Sequence, residues 1–236
     1  MHLRESFIFL VVFLSGIIAG NFIRTIASVY RQGISFRKLF EAGEIFSFLS
    51  KIKKTGFRLR CFPLVELASA VVFTTCYCFF GFTPNFFKYV VVLGLLLVIS
   101  VIDFRAGIIP NRFLLGLFAW LFLWQLIDPY LPLESVMVGF LAGGALFYVI
   151  ALLSRGGMGG GDIKLMAVLG FAVGWPYVLV VFLISFILGA VAGALLLLSG
   201  RKTLKDSLAF APFLSLGFFL VNFWGVEIWE WYAFFW

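Results

Sequence analysis

Eight long apolar runs separated by short polar loops constrain this chain more than any other feature. A run of about 20 apolar residues crosses a bilayer as a helix, since lipid offers backbone groups no other partner. With 63% hydrophobic residues, 12% charged residues and a mean hydropathy of +1.12, the composition lies outside that of soluble domains. The sequence therefore predicts an all-α, polytopic membrane protein with about eight transmembrane helices, the sixth of them short. The runs are Phe7 to Ile23, Leu64 to Phe80, Phe87 to Ile102, Phe113 to Ile127, Val136 to Leu153, Ile163 to Val173, Tyr177 to Leu198 and Leu208 to Phe223.

The basic residues orient these spans, because Lys and Arg concentrate in cytoplasmic loops. If the chain starts outside, only Arg4 and Lys88 of the 18 Lys and Arg residues lie on the outer face. We therefore predict that both termini lie outside the cytoplasm. The net charge of +7 then reflects topology and contact with anionic membrane lipid, not nucleic-acid binding.

One stretch, Tyr30 to Arg60, is rich in Lys and Arg that alternate with apolar residues. This pattern is typical of a basic amphipathic helix on the cytoplasmic membrane surface. RNA binding is the weaker interpretation, because the apolar content favours lipid. We predict a division into residues 1–62, a transmembrane helix with a basic cytoplasmic loop, and residues 63–236, a polytopic core.

Two aspartates occupy matching places in the predicted topology. Asp103 ends the third span, and Asp162 follows a glycine run and begins the sixth, so both meet the cytoplasmic boundary. A carboxylate at a hydrocarbon boundary is costly and usually functional. Two adjacent carboxylates share one proton, so one serves as a base and the other as an acid. This is the aspartic-protease arrangement, in which the base activates water and the acid protonates the carbonyl oxygen or the leaving amine.

The glycine run predicts an active-site loop formed by Gly159, Gly160 and Gly161. Gly161 permits backbone angles closed to other residues and allows a substrate strand to approach closely. Irregular backbone at membrane depth also indicates a wet cavity. Alternatively, the run is a flexible turn and Asp162 is the N-cap of the following helix. Composition and spacing leave both interpretations open.

The segment from Gly157 to Ala167 closely resembles the signature of type IV prepilin peptidases, which are GxGD-type membrane aspartyl proteases. Asp103 followed by Ile109-Pro110-Asn111 is similar to that family's first aspartate motif. The segment Ala211 to Gly217 resembles its last-helix motif, and Phe62 to Leu67 resembles the start of its second helix. The matches span nearly the whole chain in the family's order.

The resemblance implies a function and a set of residues. Family members remove the short basic leader from type IV prepilins or pseudopilins after a glycine at the cytoplasmic membrane face, and leave the apolar helix intact. Asp103 and Asp162 would be the catalytic pair, and the protein would lie in the bacterial cytoplasmic (inner) membrane. Its partners would be a prepilin or pseudopilin and membrane lipid, with no nucleic acid. Four further motif positions are supporting candidates, for which a structural role is equally open: Lys164, Glu66, Pro110 and Pro212.

One departure from the family concerns cysteine. Fuller bacterial enzymes carry two CxxC pairs in the first cytoplasmic loop, whereas this loop contains only Cys61. A four-thiolate zinc site cannot form there, and we expect no metal. The peptidase reaction needs no cofactor; S-adenosylmethionine would be required only for N-methylation of the new terminus, which the sequence leaves open.

Other functional classes remain as alternatives. A proton- or cation-coupled transporter could bind its ion at the two boundary aspartates. Such transporters often contain inverted internal repeats, and none is visible here. A non-catalytic docking platform for pilus assembly would not need both aspartates.

Overall fold

The computed structural model describes residues 2–31, 64–154, 158–200 and 208–234, and all of their regular structure is helical. The prediction of an all-α polytopic membrane protein is confirmed. Five of the helices are long and apolar enough to cross a membrane, and two others are shorter apolar helices. Residues 32–60 of the predicted surface helix lie outside the described residues. The described residues form eight helices: α1 (His2–Arg31), α2 (Leu64–Phe80), α3 (Pro84–Ala106), α4 (Asn111–Ile127), α5 (Leu133–Leu153), α6 (Gly160–Val173), α7 (Tyr177–Leu198) and α8 (Ala211–Phe234).

The chain forms two compact units, Met1–Gly81 and Phe82–Trp236. The first unit contains α1 and α2, and the second contains α3 to α8. The predicted boundary between residues 62 and 63 falls outside the described residues and stays a prediction.

In the first unit, small residues bring α1 and α2 together. A Cβ atom at Gly16 would lie 2.6 Å from the Cα atom of Ala70, so only glycine allows this approach. The hydroxyl of Ser69 on α2 donates to the carbonyl oxygen of Gly16 at 2.6 Å. The two helices are therefore joined by close backbone contact and by a buried hydrogen bond.

In the second unit, α6 lies inside the protein. It contacts α4, α5, α7 and α8, and every residue from Leu165 to Val173 is buried. Its 14 residues extend about 21 Å, less than the hydrocarbon thickness of a bilayer. A helix that is apolar all round and enclosed by other helices does not need to span the membrane alone.

Glycine contacts set the distance between α5 and α6. Gly139 and Gly143 both face α6, where a Cβ atom at Gly139 would collide with the carbonyl oxygen of Gly170. A Cβ atom at Gly143 would lie 2.6 Å from the carbonyl oxygen of Met166. This backbone contact fixes α6, and with it the position of Asp162, relative to α5.

A buried lysine marks the other end of α3. Lys88 is only 2% exposed, and its ammonium nitrogen lies 3.1 Å from the ring centre of Tyr130 and 5.0 Å from that of Tyr89. Cation–π attraction partly replaces the lost hydration of the lysine. Trp120 Nε1 donates to the carbonyl oxygen of Lys88 at 3.2 Å, which joins α4 to α3.

We expect Gly143→Ala to destabilise the second unit by about 1–3 kcal/mol, because the added methyl group meets rigid backbone of α6. Gly94→Ala is the matched control, since a Cβ atom at Gly94 meets nothing within 4 Å. Thermal unfolding in detergent should show a lower midpoint for Gly143→Ala and an unchanged or higher midpoint for Gly94→Ala. Equal midpoints for the two variants would contradict this packing.

Candidate active site

Asp103 lies in the last turn of α3 and is 6% exposed. The helix ends three residues later because Gly107 adopts a left-handed conformation with φ of 66°. The backbone N–H of Gly107 donates to the carbonyl oxygen of Asp103 at 2.7 Å. This glycine cap turns the chain away immediately after the aspartate and keeps the carboxylate at the end of the helix.

The carboxylate of Asp103 binds the start of α8. Its Oδ2 accepts a hydrogen bond of 3.0 Å from the backbone N–H of Ala211, and the backbone of Phe210 also hydrogen-bonds it. The first N–H groups of a helix have no partner within the helix, so they are available to a buried anion. Pro212 occupies the first turn of α8, where its missing N–H costs no helix hydrogen bond.

Asp162 occupies the first turn of α6, three residues after the N-cap residue Gly159. Its carboxylate accepts a hydrogen bond from the backbone of Gly159, as an acidic residue at this helix position often does. The interpretation of Asp162 as the N-cap is therefore wrong. Asp162 is half-buried, and its buried Oδ1 has no hydrogen-bond partner among the described residues.

The glycine run differs from the predicted active-site loop. Gly160 and Gly161 already belong to α6, and none of Gly159, Gly160 and Gly161 has a positive φ. Gly161 does not use the backbone angles that glycine permits; its role in this structure is steric. A Cβ atom at Gly161 would lie 2.8 Å from the Cβ atom of Ile109, whereas one at Gly160 would meet nothing within 4 Å. The absence of a side chain at Gly161 lets the loop after Asp103 pack directly against α6.

The two aspartates are close enough to interact electrostatically. Asp162 lies just before the apolar part of α6 and outside the membrane-spanning helices. Burial, followed by the negative charge of Asp103, raises the pKa of Asp162 to about 7. A proton is therefore held at this site near neutral pH, as the sequence analysis expects of an aspartate pair.

Three helices begin around these carboxylates. The N-termini of α6 and α8 hydrogen-bond Asp162 and Asp103, and α4 begins next to Ile109, which contacts Gly161. Each helix N-terminus carries a partial positive charge. Together these N-termini favour negative charge at the end of α3.

Lys164 and Pro110 both have contacts at the start of α4. Lys164 is exposed, and its ammonium group donates to Oδ1 of Asn111 at 3.2 Å. Pro110 is the buried N-cap residue of α4, and its carbonyl oxygen accepts the N–H groups of Phe113 and Leu114. Both candidates thus contribute to the geometry of the α4 start.

Glu66 belongs to the first unit, where it forms an ion pair with α1. Its Oε1 lies 2.8 Å from Nη1 of Arg24, and Nη2 of Arg24 donates to Oδ1 of Asn21 at 2.8 Å. Glu66 is 5% exposed. The ion pair supports the structural interpretation of this residue.

An apolar cavity of about 420 Å³ lies beside Asp162. The next two residues along the chain, Ile163 and Lys164, line it, and its other walls come from α4, α5 and α6. Its polar lining is limited to Asn111 and Lys164, while the remaining walls are Leu114, Leu115, Phe118, Phe140, Ala167 and Val168. Such a surface can receive an apolar segment whose adjoining peptide bond reaches the aspartates.

Among residues 2–31, 64–154, 158–200 and 208–234, no group of three or more His, Cys, Asp or Glu side chains could hold a metal ion. Cys61 lies outside that part of the chain. The absence of a metal stays a prediction from the sequence.

Sequence reasoning missed several contributors to the site. Gly107 follows the last apolar residues of α3, which is a signal for a helix C-terminus. The backbone N–H of Ala211 and the contact of Gly161 with Ile109 had no such signal, because they depend on residues far apart in the chain.

Comparison with known proteins identifies similar sequences. A sequence model of the "Type IV leader peptidase family" matches residues 90–194. A protein of Bacillus subtilis named "Prepilin leader peptidase/N-methyltransferase" is 36% identical over 192 residues, covering 80% of this chain and 77% of the relative. Relatives with the same name from Xanthomonas campestris and Aeromonas salmonicida are 31% and 30% identical; each match covers 60% of the relative and 71% and 72% of this chain. No solved structure matches the chain.

We expect Gly161→Ala to disrupt the site and Gly160→Ala to leave it intact. Only the first substitution forces a methyl group against Ile109 and separates the Asp103 loop from α6. The measurement is the catalytic activity of the folded protein. It should fall at least about tenfold in Gly161→Ala, because small displacements of catalytic groups lower the reaction rate strongly. Equal activity of the two variants would contradict the steric role.

Proposed function

Because this chain belongs to the type IV leader peptidase family, we propose that it is a membrane aspartic endopeptidase. Its substrate is a type IV prepilin or pseudopilin, from which it removes the basic leader after a glycine. The observation that supports the activity best is the interaction between the two carboxylates of Asp103 and Asp162 at the ends of buried helices.

The two aspartates have different surroundings, which suggests different roles. Oδ2 of Asp103 accepts a hydrogen bond from the backbone N–H of Ala211 at the start of α8, and this donor holds the carboxylate in one orientation. Asp162 has an unpartnered oxygen and a raised pKa. In our proposal, Asp103 is the base and Asp162 is the acid.

The reaction follows from these roles. The carboxylate of Asp103 takes a proton from water, and the oxygen of that water forms a bond to the carbonyl carbon after the leader glycine. Asp162 donates its proton to the carbonyl oxygen. The tetrahedral intermediate then collapses, the C–N bond breaks, and the leaving nitrogen takes the proton held by Asp103. One hydroxyl proton of the intermediate returns to Asp162, which restores both aspartates to their starting state.

The cavity beside Asp162 suits the uncleaved part of such a substrate. A prepilin consists of a basic leader followed by an apolar helix, so the residues after the cut are apolar. In our proposal they lie along Leu115, Phe118 and Phe140, and the scissile bond reaches the aspartates at the polar end of the cavity.

The protein is a multi-pass membrane protein, and its family belongs in the bacterial inner membrane. We place the aspartates at the cytoplasmic face and both termini outside the cytoplasm. The distribution of Lys and Arg supports this orientation.

Methyl transfer is a second activity in the names of the relatives, and S-adenosylmethionine would be its methyl donor. The cavity beside Asp162 does not fit this charged nucleoside, because only Asn111 and Lys164 contribute polar atoms to it. We assign no step of methyl transfer to the described site. Adding S-adenosylmethionine to the cleavage assay and weighing the new terminus by mass spectrometry tests the activity directly.

The transporter alternative has less support. Its boundary aspartates would bind a proton or cation, but the chain's relatives are peptidases by name.

Cleavage of a membrane-inserted prepilin by the purified protein tests the proposed function. We expect Asp103→Asn and Asp162→Asn each to reduce cleavage at least about 10²- to 10⁴-fold, because each removes a proton-transfer group. Asp128→Asn is the matched control, since Asp128 is an exposed acid in the loop after α4. Full cleavage by either active-site variant, or none by folded wild type, would overturn the proposal.

The pH dependence tests the assignment of the acid. Cleavage should follow a bell-shaped profile whose alkaline limb lies near pH 7, where Asp162 loses its proton. In Asp103→Asn, the neighbouring negative charge is gone, so the carboxyl group of Asp162 should titrate at lower pH. Infrared spectroscopy of the protonated carboxyl band measures this shift without requiring activity. An unchanged titration would contradict the coupling between the aspartates.

A further inference from the structure

We propose that Ser100 and Ser215 form a hydroxyl pair that holds the start of α8 against Asp103. This inference rests on the proposed function, because the pair acts by positioning a catalytic carboxylate. Neither serine contacts the reacting atoms in this scheme; both are positioning residues.

The pair lies one helical turn from the contact between Asp103 and Ala211. Ser100 precedes Asp103 by three residues on α3, and Ser215 follows Ala211 by four residues on α8. The two hydroxyl oxygens are 2.8 Å apart. Residues three or four apart share a helix face, so the serine pair and the aspartate contact join the same two faces.

The hydroxyl protons can form a continuous chain to Ala211. The carbonyl oxygen of Ala211 lies 2.9 Å from Ser215 Oγ and 3.4 Å from Ser100 Oγ. One serine therefore donates to the other, and the second donates to this carbonyl oxygen. The N–H of Ala211 donates to Asp103, so both backbone polar groups of Ala211 are held in the contact between α3 and α8.

The surroundings make this pair important for the register of the helices. Apolar burial is not directional, so it resists separation of α3 and α8 more than sliding along their axes. Hydrogen bonds have defined lengths and angles and therefore fix the register. Water can replace these hydrogen bonds only in part, because Ser100 is buried, Ser215 is half-buried, and buried apolar residues lie near them along the two helices: Leu96, Ile99, Leu214 and Phe218.

A small shift of α8 would separate the Ala211 N–H from Oδ2 of Asp103. The carboxylate would then lose a donor that favours its charged form and fixes its direction. Catalytic rates fall steeply with displacements of about 1 Å. The serine pair thus couples the register of α3 and α8 to the position of the Asp103 carboxylate.

Variants that remove one hydroxyl test the pair. We expect Ser100→Ala and Ser215→Ala to lower kcat about tenfold or more, with little change in KM, because the catalytic geometry changes but the substrate cavity does not. The kcat of the double variant should lie within about twofold of that of the less active single variant, since either change breaks the same chain of hydrogen bonds. Ser215→Thr, which keeps the hydroxyl, should retain most of the wild-type kcat.

Ser185→Ala is the matched control. Ser185 is fully buried on α7, and within the described residues its hydroxyl donates to the carbonyl oxygen of Val181 on the same helix. Wild-type kcat in Ser100→Ala and Ser215→Ala, additive losses in the double variant, or an equal loss in Ser185→Ala would overturn the inference.

Amide hydrogen exchange provides a readout that does not need a substrate. In Ser100→Ala and Ser215→Ala, backbone amides of residues 208–214 should exchange faster than in wild type, whereas Ser185→Ala should leave them unchanged. If the wild-type protein cleaves no prepilin, the proposed function is wrong. Amide hydrogen exchange then still tests whether the serine pair holds the start of α8. Unchanged exchange in both variants would overturn the inference.

Discussion

The hydrogen bond from the backbone N–H of Ala211 to Oδ2 of Asp103 is the contact around which the site is arranged. A buried carboxylate needs donors, and within a membrane those donors must come from the protein itself. Placing the N-terminus of α8 at the C-terminus of α3 meets this need. It also satisfies N–H groups of α8 that would otherwise lack partners. The contact therefore stabilises both the acid and the helix end.

The position of Asp162 depends on close backbone packing. Glycines allow α6 to approach α5, and Gly161 allows the loop at Ile109 to approach α6. These contacts bring the first turn of α6 to the end of α3, where the two carboxylates interact. Asp103 is bound by the backbone at the start of α8, whereas Oδ1 of Asp162 has no hydrogen-bond partner among the described residues, so the pair is asymmetric before any substrate binds. An asymmetric pair is suited to divide the roles of base and acid.

The functional proposal combines this geometry with family membership. The geometry supports a pair of aspartates that act as base and acid, and the relatives indicate which reaction uses such a pair. The apolar cavity beside Asp162 adds a surface for the part of a prepilin that stays in the membrane. The serine pair between α3 and α8 extends the site into the helix core, since it links the register of two helices to the orientation of Asp103.

The sequence by itself determined the helical class, the approximate positions of the eight helices and the two aspartates. Apolar runs must become helices in lipid, and a carboxylate within such runs stands out against them. The sequence also contains a signal for the helix end at Gly107, a glycine after an apolar run, although the sequence analysis did not use it. Only the tertiary structure decided that Gly161 serves packing and not backbone freedom, and that Asp162 follows the N-cap instead of forming it. The same holds for the contacts of Asp103 with Ala211 and of Ser100 with Ser215. These contacts join residues more than 100 positions apart, and such pairs are defined by how helices pack, which local sequence patterns do not encode.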